Sequence, residues 1–241
     1  MPYYMYGYGI NWTYLVILIP CLILSMLASA NVNSTFKRYS NQYSSRRITG
    51  AHAAQRVLSA NSVTGVRIER VSGNLTDHYD PKTNVIRLSD SVYDSTSTAA
   101  IGVACHEAGH AVQYARSYFP IRVRAAIIPI TNIGSKLAMP LILLGVILSA
   151  FGSYSQTLID IGILAFSLSL VFQLVTLPVE FNASRRAMTA IRDGDILTNE
   201  ELKGARKTLT AAALTYVAAT IVAFAQLLRL ILLFGGRRRR D

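Results

Sequence analysis

Residues 97–118 read Ser97-Thr98-Ala99-Ala100-Ile101-Gly102-Val103-Ala104-Cys105-His106-Glu107-Ala108-Gly109-His110-Ala111-Val112-Gln113-Tyr114-Ala115-Arg116-Ser117-Tyr118. Ser97 or Thr98 can cap a helix running from 98 to about 118, and Pro120 then stops it. Residues four apart on a helix share one face, one turn above the other. His106 and His110 have that spacing, so their imidazoles can reach a single zinc ion. Glu107 follows the first histidine directly, which suits it to act on a zinc-bound water rather than to bind the metal. Zinc would lower the pKa of that water and polarise a carbonyl, and Glu107 would serve as general base. Ala108 and Gly109 are small enough to let a substrate or another helix approach. Three fixed residue types at this spacing recur by chance at roughly the one-per-cent level in a chain of this length. A solvent-facing amphipathic helix is the plainer reading, but the chain has only four histidines.

A catalytic zinc needs a third protein ligand and one open position. The extended form of the motif would place a third histidine near residue 116, where this chain has Arg116. The ligand must come from further away. Glu180, in Pro178-Val179-Glu180-Phe181-Asn182-Ala183-Ser184-Arg185-Arg186, is the candidate. A surface ion pair with the neighbouring arginines is its alternative role.

Outward from the motif, the chain alternates between polar and apolar sections. Hydrophobic residues make up 51% and charged ones 15%, against roughly 25% charged in soluble domains. Trp12 to Ala30 is an uncharged run close to the length of one membrane span, preceded by a Tyr- and Gly-rich segment suited to a membrane interface. Ala28-Ser29-Ala30 resembles a signal-peptide cleavage site, but no Lys or Arg precedes the apolar run, so 1–30 reads as an uncleaved anchor. The polar section 31–130 holds a helix at 48–60, strands at 66–71 and 85–88, turn chemistry over 73–81, and the motif helix. Leu137–Gly152 and Leu158–Leu177 then form a membrane hairpin within 131–178, followed by a polar third-ligand region, 179–210. A final apolar run and basic tail occupy 211–241. Arg229 inside that run leaves open whether it crosses fully.

The net charge is +11. With long apolar runs and no basic helix carrying interleaved aromatics, anionic lipid is the expected partner rather than nucleic acid. Twelve basic residues fall in 31–130 and six in 179–210, but none in 1–11 or 153–157. The positive-inside tendency therefore places the polar sections in the cytoplasm, although the tail Arg237–Arg240 disagrees if the last run crosses. Cys21 and Cys105 sit in unlike settings and read as two buried thiols, not a disulfide.

The His-Glu-x-x-His helix, the two-span hairpin and the later Glu180 resemble the glutamate-zincin membrane proteases, which include the heat-shock protease HtpX and the prenyl-protein (CAAX) proteases. Together with Asp77-His78-Tyr79-Asp80-Pro81 and Val85-Ile86-Arg87-Leu88-Ser89, the chain is similar over nearly its whole length to the bacterial YugP-type neutral zinc metallopeptidases. The resemblance implies His106, His110 and Glu180 as zinc ligands and Glu107 as catalytic base. It also implies that Val85, Ile86, Arg87 and Leu88 form an exposed edge strand that pairs with extended substrate. One departure stands out. Where an Asp usually follows the ligand glutamate by four residues and orients a histidine, this chain has Ser184, which leaves Asn182 or Ser184 as a weaker substitute. Arg185, Arg186, Tyr216 and His78 are candidates to stabilise an oxyanion, with Arg186 and Tyr216 preferred.

The expectation is an α+β zincin-like metallopeptidase domain on a bundle of three or four transmembrane helices. It would be a zinc endopeptidase of the bacterial inner membrane, acting on peptides or misfolded membrane proteins from the cytoplasmic side. Two rival readings are a site-2-type intramembrane protease, faintly echoed by Arg192-Asp193-Gly194, and a zinc-binding scaffold without catalysis.

Overall fold

The computed structural model describes residues 12–149 and 154–234. The tyrosines of 1–11, residues 150–153 and the tail Arg237–Arg240 lie outside the described residues. The elements run α1 (Trp12–Tyr39), α2 (Gly50–Ala60), β1 (Arg67–Val71), β2 (His78–Asp80), β3 (Val85–Ser89), α3 (Thr98–Ala115), α4 (Phe119–Leu148), α5 (Tyr154–Asp193) and α6 (Glu201–Phe234). The molecule is thus mostly helical, with one small mixed sheet.

The motif helix α3 is the centre of the packing. Ser97 caps it by accepting a bond from the Ala100 amide at 3.2 Å. It ends on Ser117, whose φ is +49°. The amides of Ser117 and Tyr118 turn back onto the carbonyls of Tyr114 and Gln113, which is the Schellman arrangement. Pro120 therefore does not stop α3, as the sequence suggests; it lies in the first turn of α4, where its missing N–H costs nothing.

α3 is buried on nearly every side, and its run of Ala, Gly and Cys makes this possible. Gly102 faces the backbone of Ala205 on α6, and Gly109 faces Ala183 on α5. The surrounding core comes from Val57 and Leu58 of α2, Ile86 and Leu88 of β3, Ile191 of α5 and Leu209 of α6. α6 starts on a reciprocal pair: Glu201 Oε2 accepts from the Thr198 amide at 3.0 Å, and Thr198 Oγ1 accepts from the Glu201 amide at 3.4 Å. The other carboxylate oxygen of Glu201 takes the Ser45 amide at 2.7 Å, tying α6 to the segment after α1.

The sheet order is β1-β3-β2, with β1 parallel and β2 antiparallel to β3. This corrects the expectation for Val85, Ile86, Arg87 and Leu88. β3 is the middle strand, bonded to β1 along its length and to β2 over Val85–Arg87, and its Val85, Ile86 and Leu88 side chains are fully buried. The edge strands are β1 and β2, and β2 is a short strand inside the segment read from sequence as turn.

Among the described residues, four helices are long and apolar enough to cross a membrane: α1 from Leu15, α4, α5 and α6. The elements differ from the apolar runs in one respect that matters for the site. α4 begins at Phe119, and α5 passes through Pro178 without a break, so the expected boundary at 178 falls inside one helix. At 40 residues α5 is about 60 Å long, roughly twice the hydrocarbon thickness of a bilayer. Its apolar run ends at Leu177, so Glu180 stands on the first turn of the polar half. α3 is not among the apolar helices.

Candidate active site

α3 presents His106, Glu107 and His110, and the polar half of α5 crosses it at Gly109. A Cβ at Gly109 would stand 2.8 Å from the Ala183 carbonyl oxygen, so only glycine permits this approach. The crossing brings Glu180 against both histidines. Its Oε2 lies 3.2 Å from His106 Nε2 and 3.4 Å from His110 Nε2. Two donors about 2.05 Å from a tetrahedral zinc are separated by about 3.3 Å, so these spacings suit a shared metal. Among the described residues this trio is the group of His, Cys, Asp and Glu side chains whose ligand atoms all lie within 4.8 Å of one another.

Hydrogen bonds outside the trio settle which ring nitrogen faces inward. His106 Nδ1 is 3.1 Å from Ser184 Oγ, and His110 Nδ1 is 3.0 Å from Gln113 Oε1. The Gln113 oxygen accepts from His110 Nδ1, and where the Ser184 hydroxyl accepts from His106 Nδ1 in the same way, both Nε2 lone pairs point at the Glu180 carboxylate. Three acceptors facing one another repel unless a cation or a proton lies between them, and that is the chemistry of a metal site. The carboxylate is 2% exposed, and its second oxygen accepts from Arg124 Nη1 at 2.9 Å. Burial alone would push the His110 imidazole down; the hydrogen bond and charge of Glu180, with Glu107 nearby, outweigh burial and hold it above its ordinary value.

Two cavities meet at Glu107. One, of about 360 Å³, is lined by Ser29, Val32 and Asn33 of α1, by Leu75, and by Leu209 and Ala212 of α6. The other, of about 250 Å³, lies under β2 and α4, with His78, Tyr79, Ile121 and Arg124 in its wall. Asp77, His106, Glu107 and Tyr216 line both. α1 runs unbroken through Ala28-Ser29-Ala30, so the segment that resembles a cleavage site forms part of the cavity wall.

Of the expected oxyanion stabilisers, Tyr216 and His78 reach the site and the arginines do not. Arg185 and Arg186 line a separate cavity with Ala60, Asn61 and Asp193. Arg186 is six residues beyond Glu180, about 240° around the helix, and so faces away. It donates to Asn182 Oδ1 at 2.8 Å and lies over the Tyr118 ring. Asp193, the faint intramembrane-protease echo, belongs to that same distant cavity. The serine in place of the usual aspartate does bond His106, as the sequence suggested for Ser184 or Asn182.

Sequence reasoning missed three residues. Arg124 is one of two arginines, with Arg122, opening an apolar helix, and no signal links it to Glu180. Gln113 reads only as a polar flank of the motif, although its i+3 spacing from His110 was available. Asp77 stands within the quoted Asp77–Pro81 run without a role. Its carboxylate accepts from the Ser89 amide at 2.7 Å and the Ser89 hydroxyl at 2.9 Å. Burial, followed by the charge of Glu107 after those bonds, leaves its carboxyl above the usual range.

A family model described as "Putative neutral zinc metallopeptidase" matches residues 14–235. The chain belongs to this family. It is 45% identical over 225 residues to "Putative membrane protease YugP" of Bacillus subtilis (strain 168), covering 93% of this chain and 98% of that protein. No solved structure matches it.

Proposed function

We propose that this chain is a membrane-bound zinc endopeptidase with a zincin-like catalytic part. His106, His110 and Glu180 are its metal ligands, and Glu107 is its general base. The observation that carries the reading is the convergence of two imidazole Nε2 atoms and one Glu180 oxygen, 3.2 and 3.4 Å apart, with both Nδ1 atoms engaged elsewhere.

Zinc in that position would supply Lewis acidity, activating a water and polarising the scissile carbonyl. Glu107 takes the proton of the attacking water and passes it to the departing amine. Its place between two cavities supports this role, because an extended peptide running from one to the other would present its scissile bond there. Tyr216 lines both cavities and would donate to the developing oxyanion. Arg124 holds the outer oxygen of Glu180 and keeps its inner oxygen turned toward the histidines. The expected substrates are peptides or misfolded membrane proteins, met at the cytoplasmic face of the cell membrane beside the polar half of α5.

The test compares zinc content and degradation of unfolded casein in the wild type, Glu107→Gln and Glu180→Ala. Glu107→Gln should keep zinc and lose activity by about 10²–10⁴-fold. Glu180→Ala should lose both. Equal casein degradation by wild type and Glu107→Gln would remove the catalytic reading, and full zinc in Glu180→Ala would remove Glu180 from the ligands.

A further inference from the structure

We infer that Gln113 is a positioning residue that fixes His110 in the Nδ1–H tautomer, and that Asn182 and Arg186 hold Gln113 in the one amide orientation that can do so. The inference rests on the metal-ligand reading of His110.

Gln113 is fully buried at the end of α3, and its side chain touches three groups. Its Nε2 donates to the Val179 carbonyl at 2.8 Å and to Asn182 Oδ1 at 3.0 Å, and its Oε1 faces His110 Nδ1 at 3.0 Å. Each partner has a fixed polarity. A backbone carbonyl can only accept, so the amide NH₂ must face Val179. The guanidinium of Arg186 can only donate, and its Nε reaches Asn182 Oδ1 at 2.8 Å, so the oxygen of Asn182 must point inward. Both constraints turn the Gln113 oxygen toward His110. An oxygen there can only accept, so the proton sits on Nδ1 and the Nε2 lone pair faces Glu180.

Without Arg186, Asn182 could flip and set its NH₂ against that of Gln113. Gln113 would then have to choose between Asn182 and Val179, and its hold on His110 would weaken. This gives Arg186 a function at the site although it stands in another cavity. It also explains how a buried histidine is oriented here by neutral amides, with no carboxylate on its Nδ1. A carboxylate there would add charge to a pocket that already holds Glu180 and Glu107.

The test uses full-length protein in detergent. Zinc affinity is measured by chelator competition, and the imidazole tautomer of metal-free protein in alkaline buffer by ¹⁵N-histidine NMR. Gln113→Met should bind zinc about 10–100-fold more weakly and show His110 as a mixture of tautomers. Asn182→Asp keeps an acceptor for both Arg186 and Gln113, and should stay within about threefold of wild type. Asn182→Leu fills similar space without an acceptor and should fall between the two. Wild-type affinity with a single Nδ1–H tautomer in Gln113→Met would overturn the inference. So would Asn182→Asp binding zinc as weakly as Asn182→Leu, since the retained acceptor at 182 would then do nothing for the site. If Gln113→Met does not fold, the two Asn182 variants decide. A wild type that binds no zinc would sink the metallopeptidase reading instead, and the tautomer measurement would still judge the relay.

Discussion

Gly109→Ala should damage the site without touching any ligand. The new Cβ would stand 2.8 Å from the Ala183 carbonyl oxygen and 3.3 Å from its Cα, where ordinary contact begins at 3.4 Å. The oxygen belongs to helical backbone and cannot rotate away, so α5 must retreat by about 0.6 Å, the difference between 3.4 and 2.8 Å. Metal–ligand distances tolerate only about 0.2 Å. Glu180 lies three residues before Ala183, so a retreat of that size takes its carboxylate out of range of the two histidines. The expected cost is about 1–3 kcal/mol of stability, as for other overpacked cores. Zinc affinity should fall at least tenfold, in the range seen when ligand positioning is lost. Thermal unfolding in detergent and chelator competition read the two effects separately. Ala108→Gly, one residue earlier, serves as a control for helix propensity, which costs about 1 kcal/mol. A Gly109→Ala protein with wild-type zinc affinity would show that the α3–α5 approach does not set the ligand geometry.

Three further outcomes follow from the same contacts. Arg124→Met should lower the thermal stability of metal-free protein by about 3 kcal/mol, because it leaves Glu180 buried without its cation; added zinc should restore part of the loss, and an unchanged melting temperature would show the pair to be dispensable. Zinc affinity should decline as pH falls, because the proton on His110 competes with the metal. Its imidazole is held above the ordinary value in the metal-free protein, so the decline should begin above about pH 6.5, up to tenfold per unit for one displaced proton. For metal-free stability the sign is reversed: the protonated imidazole contributes below its raised pKa and that contribution is lost as pH rises through it. A flat affinity between pH 5.5 and 8.5 would contradict the site electrostatics. Cys105 is fully buried and burial pushes its thiol well up, so in a Cys21→Ser background it should resist alkylation until the protein is denatured; rapid labelling of folded protein would mean that the α3 core is open.

Much of this was legible because its physics is local. Helical periodicity put His106 and His110 on one face, and Ser97 marked where that helix starts. β-branched alternation located β1 and β3 to within a residue at each end. The apolar runs marked the four long helices. The misreadings have a common cause in polar residues that extend or interrupt a local pattern. Pro120 read as a stop but opens α4. The polar region 179–210 read as separate, but its first part, to Asp193, continues α5. β2 is too short and too polar to announce a strand.

The sequence alone therefore determined the chemistry on offer: two imidazoles one turn apart, an adjacent carboxylate, and enough apolar length for four spans. Tertiary structure decided which distant groups complete it. Glu180, which the sequence offered as a candidate, is separated from His106 by a whole hairpin and from Arg124 by most of α4 and the apolar half of α5. Sheet order put β3 between β1 and β2, away from either edge. Asn182 and Arg186 point where they do only because α5 passes Gly109 at backbone distance. Such pairings depend on how helices cross, and crossing geometry comes from the packing of many side chains at once, which no single stretch of the chain contains.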